Sequence, residues 1–424
     1  MPPEKFPVIM GQGNSKNDRI LKCSRTTLAL VSLAFVLAFY YTNKFDIFRN
    51  RSYTKPISFR NYCDSIPPIS SEEFHARQNA LARELHISNA SAYIAEPGAN
   101  ALYFGNISQA SWHLSERPLL LIISPTISNA TIEAKLTILT PKFEASRARM
   151  LNVPGTSVEF IEWAEDEDPY VKALSAFPQG LDNRTIFLSE STRLFVRDGL
   201  QSAASATDVL SAPYSIRVLR ERKSSTEIAL LRCVNEVTLL AIRHVREEIY
   251  FGIRQSEVSK MINRVLLEAG LSDPSGLVLF GENAARPHGG PVDKKLTKTD
   301  LILFDIGATL HGYTSDVTRT FALEASKIPS RYIAIWDIVK IAQQFALSAA
   351  TANAVAQDVD KAARDVFRQI GYDVYFTHRL GHALTRYAGK VGIRLEDCFV
   401  IQADGRAVYL TEGVGGAARD PWNI

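Results

Sequence analysis

Leu301-Ile-Leu-Phe-Asp305-Ile-Gly-Ala-Thr309-Leu-His-Gly312-Tyr-Thr-Ser-Asp316-Val-Thr-Arg-Thr-Phe321 places two acidic residues on two apolar arms separated by turn-forming residues. Both arms are rich in Ile, Leu, Val, Thr and Phe, the composition of a β-hairpin. Pairing Ala308 with Tyr313 across a four-residue loop sets Asp305 directly opposite Asp316. Opposed residues on one face have Cβ atoms ~4.5–5.5 Å apart. Two unpaired carboxylates at that range in an apolar ribbon repel each other and are costly. Divalent cations bound between them relieve that cost. A shared proton, or Arg/Lys partners such as Arg319, is the plainer alternative.

Working outward, the chain has 424 residues, more than one compact core usually holds, so two domains are expected. Apolar content of 46% and charged content of 22% are ordinary for a globular protein. A net charge of +3 gives no reason to expect a nucleic-acid partner. The four cysteines, Cys23, Cys63, Cys233 and Cys398, show no CxxC spacing, so a cysteine zinc site is not expected. One disulfide among the last three is open, with no pairing readable.

The N-terminal region reads differently. Residues 1–25 form a short tail, and residues 26–43 are uncharged and mostly apolar. That length is at the short end for a spanning helix, which needs ~17–25 residues. Phe39-Tyr-Tyr-Thr-Asn-Lys44 offers no small-residue cleavage site, and its tyrosines suit a membrane interface. The expectation is a single-pass signal-anchor with the bulk of the chain lumenal or extracellular; a secreted or soluble protein is the alternative. Five N-x-S/T sequons, at Asn50, Asn89, Asn106, Asn129 and Asn183, all follow the apolar segment and agree with that topology.

Residues 44–69 are polar and proline-containing, as in a stalk. From 70 to 218 short apolar runs alternate with helical patterns, which predicts a small α/β domain without a catalytic constellation. The runs are Leu119–Ile123, Leu136–Leu139, Val158–Ile161 and Ile186–Leu188. Helical spacing of Phe74, Leu81 and Leu85 predicts the first helix. From 219 to 424 helices alternate with antiparallel strands, an α+β pattern. Ser224-Ser-Thr-Glu227 is a capping box opening a helix through Ile249. Further helices are expected over Ser256–Ala269, from Ser330, and over Val359–Ile370.

Four features in this half carry chemistry: the Asp305/Asp316 pair, His382, Glu396 and His288. His378 and His382 are spaced i, i+4, but Arg379 stands where a helical zinc peptidase has its Glu. Taken singly, His382 reads as a hydrogen-bonded histidine, Glu396 as a salt-bridge partner of Arg394, and His288 as an exposed loop residue.

Together these residues resemble the pita-bread metallopeptidases, most closely the Xaa-Pro aminopeptidase and prolidase branch. The resemblance rests on Asp-Ile-Gly-Ala…Gly-Tyr-Thr-Ser-Asp-Val-Thr-Arg-Thr-Phe in the hairpin and Arg222-Lys-Ser-Ser-Thr-Glu-Ile-Ala-Leu-Leu-Arg232. It is extended by Arg286-Pro-His288, His378-Arg-Leu-Gly-His382 and Gly392-Ile-Arg-Leu-Glu396-Asp397, in matching order over residues 70–424. It implies a creatinase-like N-terminal domain and a C-terminal pita-bread domain. It also implies metal ligation by Asp305, Asp316, His382 and Glu396, with catalytic or substrate-binding roles for His288 and His378. Two divalent cations are implied, Mn2+ first, with Co2+ or Zn2+ as alternatives; an oxygen-rich shell with one imidazole suits manganese. The implied reaction is hydrolysis of the peptide bond preceding proline, by a chain that in this family commonly forms homodimers.

The chain departs from that family between His382 and Glu396. Only 13 residues separate them, Ala383 to Leu395, with no Glu, Asp or His. The family carries a further ligand Glu there, with a general acid/base role, and another substrate-binding His. Four of five ligand positions are kept. The expected reading is therefore a metal-dependent Xaa-Pro aminopeptidase whose activity is impaired in this chain and whose sheet is shortened near 383–391. A peptide-binding pseudoenzyme of the same fold and a metal-free creatinase-like amidinohydrolase are the alternatives.

Overall fold

The computed structural model describes residues 60–128, 130–177, 184–204, 206–380, 385–387 and 390–424. The expected membrane segment, His382 and the sequons at Asn50, Asn129 and Asn183 lie outside them. Among the described residues no helix is long and apolar enough to cross a membrane.

The N-terminal half is an α/β layer structure. Helix α1 (Ser71–Ile87) starts at Ser70, whose hydroxyl accepts the Glu73 N–H, and buries Phe74, Leu81 and Leu85. Strands β1 (Ala90–Ala95), β2 (Leu120–Ser128), β3 (Thr131–Pro141), β4 (Val158–Trp163), β5 (Thr185–Leu188) and β6 (Val209–Ser211) form one sheet in the order β4-β3-β2-β1-β5-β6. β1, β5 and β6 run parallel, as do β3 and β4; β2 is antiparallel to both neighbours. Its two faces bury separate apolar clusters, one around Leu81, Tyr93 and Leu121, the other around Ile94, Ile122 and Leu188. The four expected strands are present. β1 and β6 were not expected, because the alanine-rich β1 run and the three-residue β6 fall below any periodicity signal.

The C-terminal half begins with α2 (Ser225–Glu248), opened by the reciprocal Ser224/Glu227 capping box, and α3 (Gln255–Glu268). Strands β7 (Ser272–Phe280), β8 (Ile302–Leu310), β9 (Tyr313–Thr314) and β10 (Val317–Phe321) follow, in the order β10-β8-β7 with β9 on β8. Helices α4 (Ser330–Ala349) and α5 (Ala356–Gln369) pack on each other and add Trp336, Val339 and Phe367 to the core. Short pairs β11 (Thr385–Tyr387) with β12 (Val391–Ile393), and β13 (Phe399–Ile401) with β14 (Ala407–Tyr409), complete it. Thr318 and Glu396 bridge as antiparallel partners, so the chain after β12 lies along β10. One core cluster joins Val234, Ile262, Phe280, Phe304, Phe321, Trp336 and Phe367.

Cys63 and Cys233 form a disulfide, both nearly buried, that closes a 170-residue separation. It staples the segment preceding the α/β half to α2. Composition allowed a disulfide, but pairing a stalk residue with a helix residue required the three-dimensional arrangement.

The hairpin differs from the expected pairing. Leu310 pairs with Tyr313 and Asp305 with Thr318, so the loop has two residues, His311 and Gly312. Both have positive φ, 49° and 85°. Such a tight turn matches strand twist better than the longer loop. Asp316 therefore lies diagonal to Asp305, on the same face, instead of directly opposite. Along β8 the burial alternates, with Phe304, Ile306 and Ala308 in the core and Asp305, Gly307 and Thr309 on the more open face. β7 reaches this strand through Gly276 (φ 142°), where an added Cβ would sit 2.1 Å from the Asp305 carbonyl oxygen.

Candidate metal centre

Asp305, Asp316 and Glu396 each offer a carboxylate oxygen, and the three oxygens lie within 4.8 Å of one another. Diagonal strand neighbours are ~7–8 Å apart, still within reach of side chains on a shared face. Glu396 enters from the segment bridged to Thr318. Thr318, fully buried, donates its hydroxyl toward Asp305 Oδ1 at 3.0 Å and toward Glu396 Oε2. With one proton and two lone pairs, the hydroxyl can donate to one carboxyl and accept from the other when that one is protonated. Glu396 Oε1 is buried and has no hydrogen-bond partner among the described residues. Three converging carboxylates and one orphaned buried oxygen fit a hard divalent cation, which takes oxygen ligands.

Of the plainer alternatives, an arginine partner for the acidic pair is present in part, but it is Arg394 on Asp305 and not Arg319. Arg319 does not neutralise the acidic pair; it forms a fully buried ion pair with Asp397 at 2.6 Å. Arg394 does not pair with Glu396. Its Nη2 lies 3.0 Å from Asp305 Oδ2, while its Nη1 donates to the Pro287 carbonyl at 2.8 Å. Glu396 and Arg394 are two apart on an extended segment, yet the Arg394 side chain reaches across to β8. That guanidinium balances the Asp305 charge at the edge of the three-carboxyl cluster.

Burial pushes the Glu396 carboxyl up to about 8. Asp305 and Asp316 push the same way, against the Thr318 hydroxyl and Arg394. An unfolded Glu ionises near 4.5. Between these values the folded state holds a proton that the unfolded state has lost, so metal-free stability falls as pH rises. The loss is on the order of 1.4 kcal/mol per pH unit across that window. The metal-free protein is therefore expected to melt at a lower temperature at pH 8 than at pH 5.5, and added Mn2+ to restore more of it at pH 8. A melting temperature that rises with pH in the metal-free protein would contradict this.

Of the candidate histidines, the two described are both exposed. His288 is exposed in the loop after residues 281–285, and His378 is exposed with its Nδ1 3.0 Å from the Arg379 carbonyl oxygen. His378 is not on a helix. Neither Thr318 nor the Arg394–Asp305 pair carries a spacing signal in the sequence, since each contact joins separate segments of the chain.

A model of metallopeptidase family M24 matches residues 229–387. An uncharacterized peptidase of Schizosaccharomyces pombe is 37% identical over 321 residues, covering 74% of this chain and 70% of its own length. Among solved structures, dipeptidase PepE from Mycobacterium ulcerans superposes with a TM-score of 0.70 at 22% identity, over 84% of this chain and 99% of that one. The X-Pro aminopeptidase from Thermotoga maritima gives 0.64 at 21% identity, over 79% and 97%. The chain belongs to metallopeptidase family M24, with the α+β pita-bread fold and an N-terminal α/β subdomain.

Proposed function

We propose that this chain is a metal-dependent aminopeptidase acting on Xaa-Pro peptides, with turnover impaired by its shortened His382–Glu396 segment. The convergence of Asp305, Asp316 and Glu396 oxygens within 4.8 Å carries the reading. The solved relatives named as dipeptidase and X-Pro aminopeptidase share the fold and support the substrate class. Asp305, Asp316 and Glu396, joined by His382, would hold divalent cations, two Mn2+ in the fullest form, with Co2+ or Zn2+ as substitutes. A bound cation there would lower the pKa of water and polarise the peptide carbonyl. Thr318 holds two of the carboxylates in register, and Arg394 fixes Asp305. His288 and His378 serve as substrate-facing histidines, and two chains associate as a homodimer.

The missing acid between His382 and Glu396 removes a proton-transfer group, a loss worth ~10²–10⁴ in rate. With Mn2+, release of the first residue from an Ala-Pro peptide is therefore expected to be measurable, but that far below an enzyme with all five ligands. Mn2+ and peptide binding without any release would favour the second reading, a peptide-binding pseudoenzyme, which the 13-residue gap supports. Creatine hydrolysis without metal would instead favour the amidinohydrolase.

For location we propose a signal-anchored protein whose bulk is lumenal or extracellular. The Cys63–Cys233 disulfide supports an oxidising compartment. Asn89 is exposed and Asn106 half-buried, as glycan acceptors after the anchor. Endoglycosidase treatment of the protein from secretory cells is expected to increase its gel mobility; unchanged mobility would count against this topology.

A further inference from the structure

Helix α2 does more than fill the core behind the metal centre. It presents three polar side chains along one face to the hairpin that carries Asp316. Near its start, Glu227 Oε1 accepts the Tyr313 hydroxyl at 3.0 Å. Two turns later Asn235, fully buried, donates from Nδ2 to the Leu231 carbonyl at 2.7 Å. That bond fixes the amide so that Oδ1 faces the hairpin, where it accepts the Asp316 N–H at 3.4 Å. Thr238, also fully buried, places its hydroxyl 2.7 Å from the Ser315 hydroxyl, which in turn accepts the Ala308 N–H at 3.0 Å. The residue before Asp316 and Asp316 itself are thus both held by α2, at the break between β9 and β10.

The other side of this helix is held as well. Cys233 is bonded to Cys63, and Glu236 accepts the Tyr62 hydroxyl at 3.1 Å. Gly413 donates its backbone N–H to the same Glu236. Residues 62 and 63 therefore clamp α2 within one turn of Asn235.

We infer that Asn235 is a positioning residue for the Asp316 carboxylate, and that the Cys63–Cys233 clamp holds the helix from which it acts. The metal readout rests on the function proposed above; the hydrogen-exchange readout does not. Removing Asn235 Oδ1 takes this acceptor away from the Asp316 N–H and loosens the ligand turn from α2. Changes to groups that orient metal ligands typically cost ~10–100-fold in affinity.

The test is Asn235→Ala in the disulfide-bonded protein, with two measurements: Mn2+ affinity by EPR titration, and amide exchange over residues 313–317. The expected result is about tenfold weaker Mn2+ binding and faster exchange in that segment. Val258→Ala, in the same core on α3, controls for general destabilisation; it should lower the melting temperature and leave both readouts alone. Asn235→Ser, which keeps a small polar side chain but not the reach, should behave as the alanine variant and serves if that variant does not fold. Reducing the disulfide in the wild-type chain should also speed exchange over 313–317; no change there removes the clamp from the inference. Exchange unchanged in the Asn235 variants overturns the positioning role, as does Mn2+ affinity within twofold of wild type. If the wild-type chain binds no Mn2+, the proposed metal function fails and exchange alone decides the role of Asn235.

Discussion

Asp316→Asn is expected to abolish divalent-metal binding while leaving the fold intact. Asp316 is a ligand candidate diagonal to Asp305 across the hairpin and grouped with it and Glu396. The change removes one negative charge and replaces an oxygen with an amide nitrogen that cannot coordinate a hard cation. The backbone N–H that bonds Asn235 is untouched, so the turn keeps its anchor. Loss of a ligand should exceed the ~10–100-fold cost of disturbing a group behind one. Elemental analysis after dialysis against Mn2+, with circular dichroism as a fold check, measures it. Metal content equal to wild type would remove Asp316 from the site.

Arg319→Ala is expected to cost about 3–5 kcal/mol of stability, a large share of the ~5–15 kcal/mol typical of a domain. Its guanidinium is fully buried. It pairs with Asp397 and donates to the carbonyls of Thr318, Glu396 and Gly416. Asp397 would keep the hydrogen bonds from Thr411 and Gln343. A buried carboxylate would lose its ion-pair partner, and the β10 backbone beside Glu396 would lose its tie. Arg319→Met with Asp397→Leu should recover part of the loss, because removing both charges avoids the unpaired one. Urea denaturation measures both variants. A cost under about 1 kcal/mol for Arg319→Ala, the range of an exposed pair, would contradict the account.

The hairpin was legible because its arms alternate and its turn residues are distinctive; Asp305, Gly307 and Thr309 do share a face. Its register was not, since two possible loops differ by two residues and preserve that face. Only the left-handed conformations of His311 and Gly312 decide between them. α2 was legible end to end because the Ser224/Glu227 box marks its start. β7 was not, because Pro274 and Gly276 interrupt its apolar run. Arg394 shows why charge pairing resists sequence reading. The nearest acid along the chain is Glu396, but an extended backbone sends its side chain to Asp305 on a strand 89 residues earlier. The disulfide and the Asn235 contact are likewise products of folding, invisible to spacing.

The most direct measurement is anomalous diffraction at the manganese edge on crystals soaked in Mn2+. The account predicts a peak between the carboxylates of Asp305, Asp316 and Glu396. A chain with no peak there, and with Arg394 still closing on Asp305, would contradict it.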